Sequence, residues 1–274
     1  MGQHRAMPTY CRAKLNYFDG PAIAPTEVEI LDGRRSGPLS WAENGFELVE
    51  HASKVEAWDA IDVDSVHYEE IGALAREFTG CDDVVYYEAL LRSPETAAQS
   101  EDLAPVQLVH SDYTEGYWAM IQDDAHPYRK VLAPFMERAG VTGEDIRRAR
   151  RVVTLQFWRN VGPTRMSHPL AFCDGRTVPR SLLTPVLVPE YGGVPTGFES
   201  FVVAAPSDPA EHRWYTFPAM NEREVVVFRA FDSDRVAAGE PFWTPHSAFA
   251  DPTVPADAPA RVSLEMRAVC LFYP

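Results

Sequence analysis

The chain has 274 residues, 46% of them hydrophobic, with 23 prolines and a formal net charge of −15. That is enough apolar material for a proper core, and the proline content points to many loops and few long helices. The charge excludes nucleic acid, whose phosphates need a basic stripe, and a polybasic membrane anchor.

Residues 1–55 read as an N-terminal arm with short extended pieces, among them AKLNYF and TEVEILDG. The alternation in 45–51 predicts a strand. Tyr68, Ile71, Leu74, Ala75 and Phe78 share one face at helical spacing, so 63–79 is expected to be a helix ended by Gly80. Residues 83–92 read as one strand. The stretch 126–140 is helical in pattern, and Pro134 is expected to kink or split it. Thr142 and Asp145 form a capping box before a short helix. From 151 onward the segments are short, β-branched or aromatic, and separated by Pro, Gly and Asp loops, the pattern of an antiparallel sandwich or jelly roll. No βαβ alternation or glycine fingerprint follows a strand, which excludes a dinucleotide-binding sheet and weakens a doubly wound methyltransferase. The expected fold is an all-β core with flanking helices, cupin-like, in one domain over 1–274. Residues 1–100 would supply the arm and helix, and 101–274 the jelly-roll core.

Cys11, Cys81, Cys173 and Cys270 are far apart and form no C-x-x-C pair, so free thiols in a reducing cytoplasm are expected. The N-terminal stretch lacks a continuous apolar segment, and no run of about 18 apolar residues occurs, so neither a signal peptide nor a membrane span is expected.

The chemistry is concentrated in an ordered set: His110 and Asp112 in VQLVHSDYTEG, His246 in PFWTPHSAFADP, then Arg261 and Ser263 opening RVSLEMRAVCLFY. Two imidazoles and one carboxylate hold one face of a non-haem Fe(II) and leave the other positions open. Zinc with a hydrolytic water is the competing metal. Residues i and i+2 of a strand share a face, so His110 and Asp112 point together while Ser111 points away. By the same period Arg261, Ser263, Glu265 and Arg267 form a polar face opposite the apolar stripe Val262, Leu264, Met266, Ala268, Cys270 and Phe272. Arg261 suits the distal carboxylate of 2-oxoglutarate as a bidentate partner, with Ser263 donating beside it. Arg159, at the end of an alternating row, is a candidate for a substrate carboxylate at the cavity mouth. Arg92 is a similar candidate, and Trp158, Phe231, Phe242 and Trp243 are candidates for an apolar pocket or the core. His168, Asp174, Asp232 and Ser233 read as loop and turn residues, and His51, His67, His126 and His212 as surface or satisfied core.

With these residues in view, the chain resembles the hydroxylase/desaturase family of secondary metabolism (CmcJ/AsaB type), which includes a cephamycin-cluster protein and fungal gibberellin desaturase. The blocks that carry the resemblance are GFELVEH, VHSDYT, FWRNVGP with HPLAFCD, WYTFPAMNEREVVVFRAFDSD and PHSAFADP, and they span nearly the whole chain. The resemblance implies a double-stranded β-helix, metal ligation by His110, Asp112 and His246, co-substrate binding by Arg261, and the use of Fe(II), 2-oxoglutarate and O2. A small-molecule substrate would then be hydroxylated, desaturated or cyclised. Two other classes remain open at this point: a non-catalytic jelly-roll accessory subunit, and a zinc hydrolase that needs no keto acid. A homo-oligomer or a partner subunit is equally compatible with the sequence.

Overall fold

The computed structural model describes residues 8–58, 63–87 and 89–274. In chain order its strands are β1 (Thr9–Asp19), β2 (Ala22–Asp32), β3 (Phe46–Glu50), β4 (Asp83–Tyr86), β5 (Leu90–Arg92), β6 (His110–Ser111), β7 (Arg151–Asn160), β8 (Leu170–Cys173), β9 (Leu183–Tyr191), β10 (Val194–Val203), β11 (Trp214–Thr216), β12 (Glu224–Asp232), β13 (His246–Ala248) and β14 (Ser263–Phe272). The helices are α1 (Tyr68–Thr79), α2 (Pro94–Ala97), α3 (Tyr117–Gln122), α4 (Pro127–Ala139), α5 (Gly143–Arg148) and α6 (Ser233–Ala238).

The strands form two sheets. An eight-stranded sheet runs β1-β2-β11-β8-β13-β6-β10-β9, and a six-stranded sheet runs β3-β12-β7-β14-β4, with β5 also paired to β14. The inner faces meet in aromatic packing, with Phe172 of β8 against Phe228 of β12 at 5.2 Å between ring centres. On its outer face the smaller sheet is covered by α1. Tyr68, Ile71, Leu74 and Ala75 of that helix pack on Val153, Leu155 and Phe157 of β7 and on Met266, Ala268 and Cys270 of β14. The helix ends where expected, at Gly80 with φ +67, whose N–H bonds the Arg76 carbonyl. It is preceded by a wide π-type turn over Val63–His67. Helix α4 packs on β4 and on β10, one strand from each sheet.

Several elements differ from expectation. The N-terminal arm is an antiparallel hairpin of two eleven-residue strands, β1 with β2, built into the larger sheet. Cys11, Ala13, Leu15 and Tyr17 alternate inward, a half-buried strand pattern that the Pro and Gly content around it obscures. The smaller sheet likewise takes β3, β4 and β5 from the first hundred residues. The stretch 83–92 is two strands, and their register on β14 shifts by one residue between Tyr86, opposite Ala268, and Leu90, opposite Glu265. Helix α4 runs unbroken through Pro134. Pro134 and Lys130 are both exposed, so the Lys130 carbonyl that loses its helical donor is open to solvent. Helix α5 is capped as expected, with Thr142 and Asp145 bonding each other's backbone.

Candidate metal centre

Strands β7 and β14 lie side by side at the middle of the smaller sheet. Their register sets Ser263 opposite Asn160, Glu265 opposite Trp158 and Arg267 opposite Gln156. Directly opposed residues share a face, so all six face the larger sheet, while the apolar alternates lie under α1. The polar face of β14 is therefore interior rather than solvated: Arg261, Ser263 and Glu265 are buried at 4%, 1% and 6% exposure.

In the larger sheet β6 is only two residues long, and before it Leu108 makes a single bridge to Asn16. Pairing with β13 places His110 directly opposite His246, and their ring centres are 4.3 Å apart. His110 Nδ1 bonds the Leu108 carbonyl at 2.7 Å and His246 Nδ1 bonds the Thr244 carbonyl at 3.0 Å. These backbone acceptors put the protons on Nδ1 and leave both Nε2 lone pairs pointing inward. Asp112 Oδ1 lies 4.0 Å from each Nε2, and one ligand atom from each of the three residues falls within 4.8 Å of the others. Ser111 points away, as its alternate position requires, and its Oγ accepts the Thr244 N–H at 3.3 Å.

The donor set fits a divalent cation. Asp112 Oδ2 is buried with no hydrogen-bond partner among the described residues, an arrangement that needs a compensating ligand. Burial works against ionisation of Asp112, but the Arg267 guanidinium and the two imidazoles more than offset it and hold the carboxyl below its ordinary range. Burial, and then the neighbouring His246, pushes His110 down to about 4, so its imidazole is neutral near pH 7, as a ligand must be. Phe228 and Phe172 flank His246, with ring centres at 4.8 and 6.3 Å.

Arg261 lies beside the same interior. Its guanidinium is 5.8 Å above the Trp158 ring and donates to the His168 carbonyl at 3.2 Å, while its Nε and the Ser263 Oγ are buried without partners. Burial pushes Arg261 down to about 9, with Arg92 adding to the effect. A cation so placed calls for an anion.

The other candidates from the sequence are placed as follows. Trp158 is on the inner face, buried, with its Nε1 unpartnered. Arg92 is locked to Glu265 at 2.9 Å, to the Tyr191 hydroxyl at 2.5 Å and to the Asp102 and Ala104 carbonyls. It is a buried ion-pair partner rather than a free hand at a mouth. Arg159 requires correction: it points to the opposite side of the smaller sheet, onto the His51 and Glu222 carbonyls and the Trp58 ring. Phe231, Phe242 and Trp243 are core, Asp174 is a buried cap paired with Arg176, and Asp232 caps α6 and pairs with Arg151. Sequence reasoning gave no role to Arg267, whose Nη2 is 3.4 Å from Asp112 Oδ1, or to Gln156. It also missed the buried tyrosines beside them: Tyr113 contacts the Tyr128 hydroxyl and Tyr87 that of Tyr117. The inward period of β14 was the available signal for Arg267. The tyrosines come from separate segments, and no local pattern joins them.

A two-sheet sandwich that gathers two imidazoles and a carboxylate on its inner face is the architecture of the jelly-roll oxygenases. The family model described as YDMC, oxidoreductase/YMDC permease-like domain, matches residues 8–271. The hydroxylase/desaturase efuI of Hormonema carpetanum is 31% identical over 270 residues, covering 90% of this chain and 84% of its own length. The Fe(II)/2-oxoglutarate-dependent dioxygenase nvfI of Aspergillus novofumigatus is 28% identical over 258 residues, covering 91% of this chain and 84% of its own length. The solved structure of the iron and alpha-ketoglutarate-dependent endoperoxidase NvfI matches with a TM-score of 0.75 at 22% identity, over 97% of this chain and 99% of that one. This likeness bears out the double-stranded β-helix. The chain belongs to this oxidoreductase family, among the hydroxylase/desaturase members, and is an oxygenase. The relatives stand with that reading and not with a zinc hydrolase or an accessory subunit. Among the described residues no helix is long and apolar enough to cross a membrane.

Proposed function

We propose that His110, Asp112 and His246 hold Fe(II), that Arg261 and Ser263 bind the distal carboxylate of 2-oxoglutarate, and that the enzyme hydroxylates, desaturates or cyclises a small molecule in natural-product biosynthesis. The observation that carries this reading is the convergence of the three ligand atoms around a carboxylate oxygen left buried and unpartnered. When bound, iron and the keto acid supply the oxygen activation that breaks an unactivated C–H bond. The chain's own residues orient and insulate. The Leu108 and Thr244 carbonyls fix the two imidazoles. Arg261 and Ser263 offer a fork and a hydroxyl where a keto acid's far end would lie, and the low local dielectric strengthens that pairing. Phe172, Phe228 and Trp158 keep water from the inner face. The four cysteines are free and buried, which favours a reducing cytoplasm as its place.

The test is an anaerobic titration with Fe(II) and 2-oxoglutarate, followed by the visible metal-to-ligand charge-transfer band. The band should need both components, and Arg261→Ala should raise the 2-oxoglutarate required about 10- to 100-fold, the worth of a charge-assisted bidentate pair. No band, with zinc or nothing found by metal analysis, refutes the assignment.

A further inference from the structure

Five arginines of the smaller sheet, four of them buried and Arg267 partly exposed, are of two kinds. Arg92 and Arg229 each donate to four acceptors, and Arg159 to two carbonyls and an imidazole. Among the described residues Arg261 and Arg267, both on the inner face of β14, make one long hydrogen bond each, at 3.2 and 3.4 Å, and their Nε, like that of Arg159, is buried without a partner. A guanidinium carries five donors in a rigid fork, and leaving buried donors unmade is costly. The function proposed above supplies Arg261 with a carboxylate, whereas Arg267 keeps only the looser contacts to Asp112 at 3.4 Å and Glu265 at 4.0 Å.

Three further observations bear on Arg267. Directly opposite it, Gln156 is 2% exposed and its amide oxygen has no partner among the described residues. The two ends of an amide exchange by a flip, so Gln156 presents a donor or an acceptor to whatever lies there. The Arg267 and His110 side chains are each 18% exposed, against 8% for Asp112 and Glu265, so open space touches both. Finally, Arg261 and Arg267 are about 20 Å apart along the strand, and Asp112 contacts Arg267. A keto acid reaching from the ligand set to Arg261 therefore runs toward the start of β14, away from Arg267.

Charge points the same way. Arg92 and Glu265 neutralise each other. Asp112, Arg261, Arg267, a divalent ion and a dianionic keto acid together leave one positive charge in a site of low dielectric.

We propose that Arg267 and Gln156 dock a carboxylate of the substrate beside the metal ligands, so that this enzyme acts on a small organic acid. This rests on the ligand and co-substrate assignments above. The test uses the full chain loaded with Zn(II), which is diamagnetic and inert toward oxygen, and saturated with 2-oxoglutarate. Ligand-observed NMR then measures a panel of apolar monocarboxylic acids, each beside its primary amide. The acids should bind about tenfold or more tightly than their amides, the worth of a charged hydrogen-bonded pair. Arg267→Gln should erase that preference and Arg267→Lys should keep part of it, each read at Zn(II) and 2-oxoglutarate concentrations that saturate the variant, because losing the Asp112 contact is expected to weaken Zn(II) about 10- to 100-fold in Arg267→Gln. Acids that bind no better than amides, a panel with no binders, or a preference that survives Arg267→Gln would each overturn the proposal. If Arg267→Gln weakens Zn(II) and leaves the acid preference intact, Arg267 serves only to position Asp112. If the wild type takes up neither Zn(II) nor 2-oxoglutarate, the ligand assignment fails first and this proposal with it.

Discussion

Replacing Glu265 by Gln probes the buried ion pair that joins β14 to β5. Glu265 accepts from Arg92 at 2.9 Å and lies 4.0 Å from Arg267. Burial alone would raise its pKa, but Arg92 and Arg267 outweigh burial and bring the carboxyl from its ordinary 4.5 to about 2. At about 1.4 kcal/mol per pH unit, that drop corresponds to about 3 kcal/mol of stability. The figure agrees with the roughly 3–5 kcal/mol lost when one partner of a buried pair is removed. Because the folded pKa lies below the unfolded one, the stabilisation is complete above pH 4.5 and fades as pH falls toward 2. Glu265→Gln should therefore cost about 3 kcal/mol at pH 7 in urea unfolding followed by tryptophan fluorescence. At about 2–4 °C per kcal/mol for a domain of this size, the melting temperature should fall by about 6–12 °C. The gap between variant and wild type should narrow at about pH 3.5. A cost under about 1 kcal/mol at pH 7, or a gap that stays constant on acidification, would show that Arg92 is satisfied by its carbonyls and that the pair contributes little.

Two other substitutions separate the metal site from its scaffold. Asp112→Asn keeps the volume but removes the anionic ligand, and should weaken Mn(II) binding by more than about 100-fold in competition with a chromogenic chelator, since even outer partners of ligands are worth about 10–100-fold; a loss under threefold would remove Asp112 from the ligand set. Arg159→Met strips the donors from two carbonyls and His51 on the far side of the sheet, and should destabilise the fold by about 2–4 kcal/mol while leaving Mn(II) and 2-oxoglutarate affinities as in the wild type. A change in either affinity would return Arg159 to the site from which the structure removes it.

Much of the site was legible because its parts obey short periods. His110 and Asp112 share a face by the two-residue repeat, and the same repeat separates Arg261, Ser263, Glu265 and Arg267 from the apolar stripe of the last strand. The Thr142–Asp145 cap and the Gly80 terminus were legible because capping is local chemistry. What failed was non-local. Arg159 was correctly grouped with Val153, Leu155 and Phe157, but that face is covered by α1, a helix from elsewhere in the chain. Whether the polar face of β14 meets water or an interior depends on the opposing sheet, so Arg267 and Glu265 passed without a role. The first two strands were legible only as the short extended pieces AKLNYF and TEVEILDG, without their full length or their place in the larger sheet, and Pro134 was tolerated because it faces solvent.

The direct pairing of His110 with His246 carries a consequence for how the enzyme is made. The two proposed ligands are distant in sequence and become neighbours only when β6 and β13 find each other across the sheet. Contacts of such long range form slowly and late, because the loop entropy comes before the reward. If these residues hold iron as proposed, an unfolded or nascent chain has no high-affinity place for it, and metal loading waits for the completed inner face. Oxygen chemistry is then confined by assembly order to a chain that has already built walls around it.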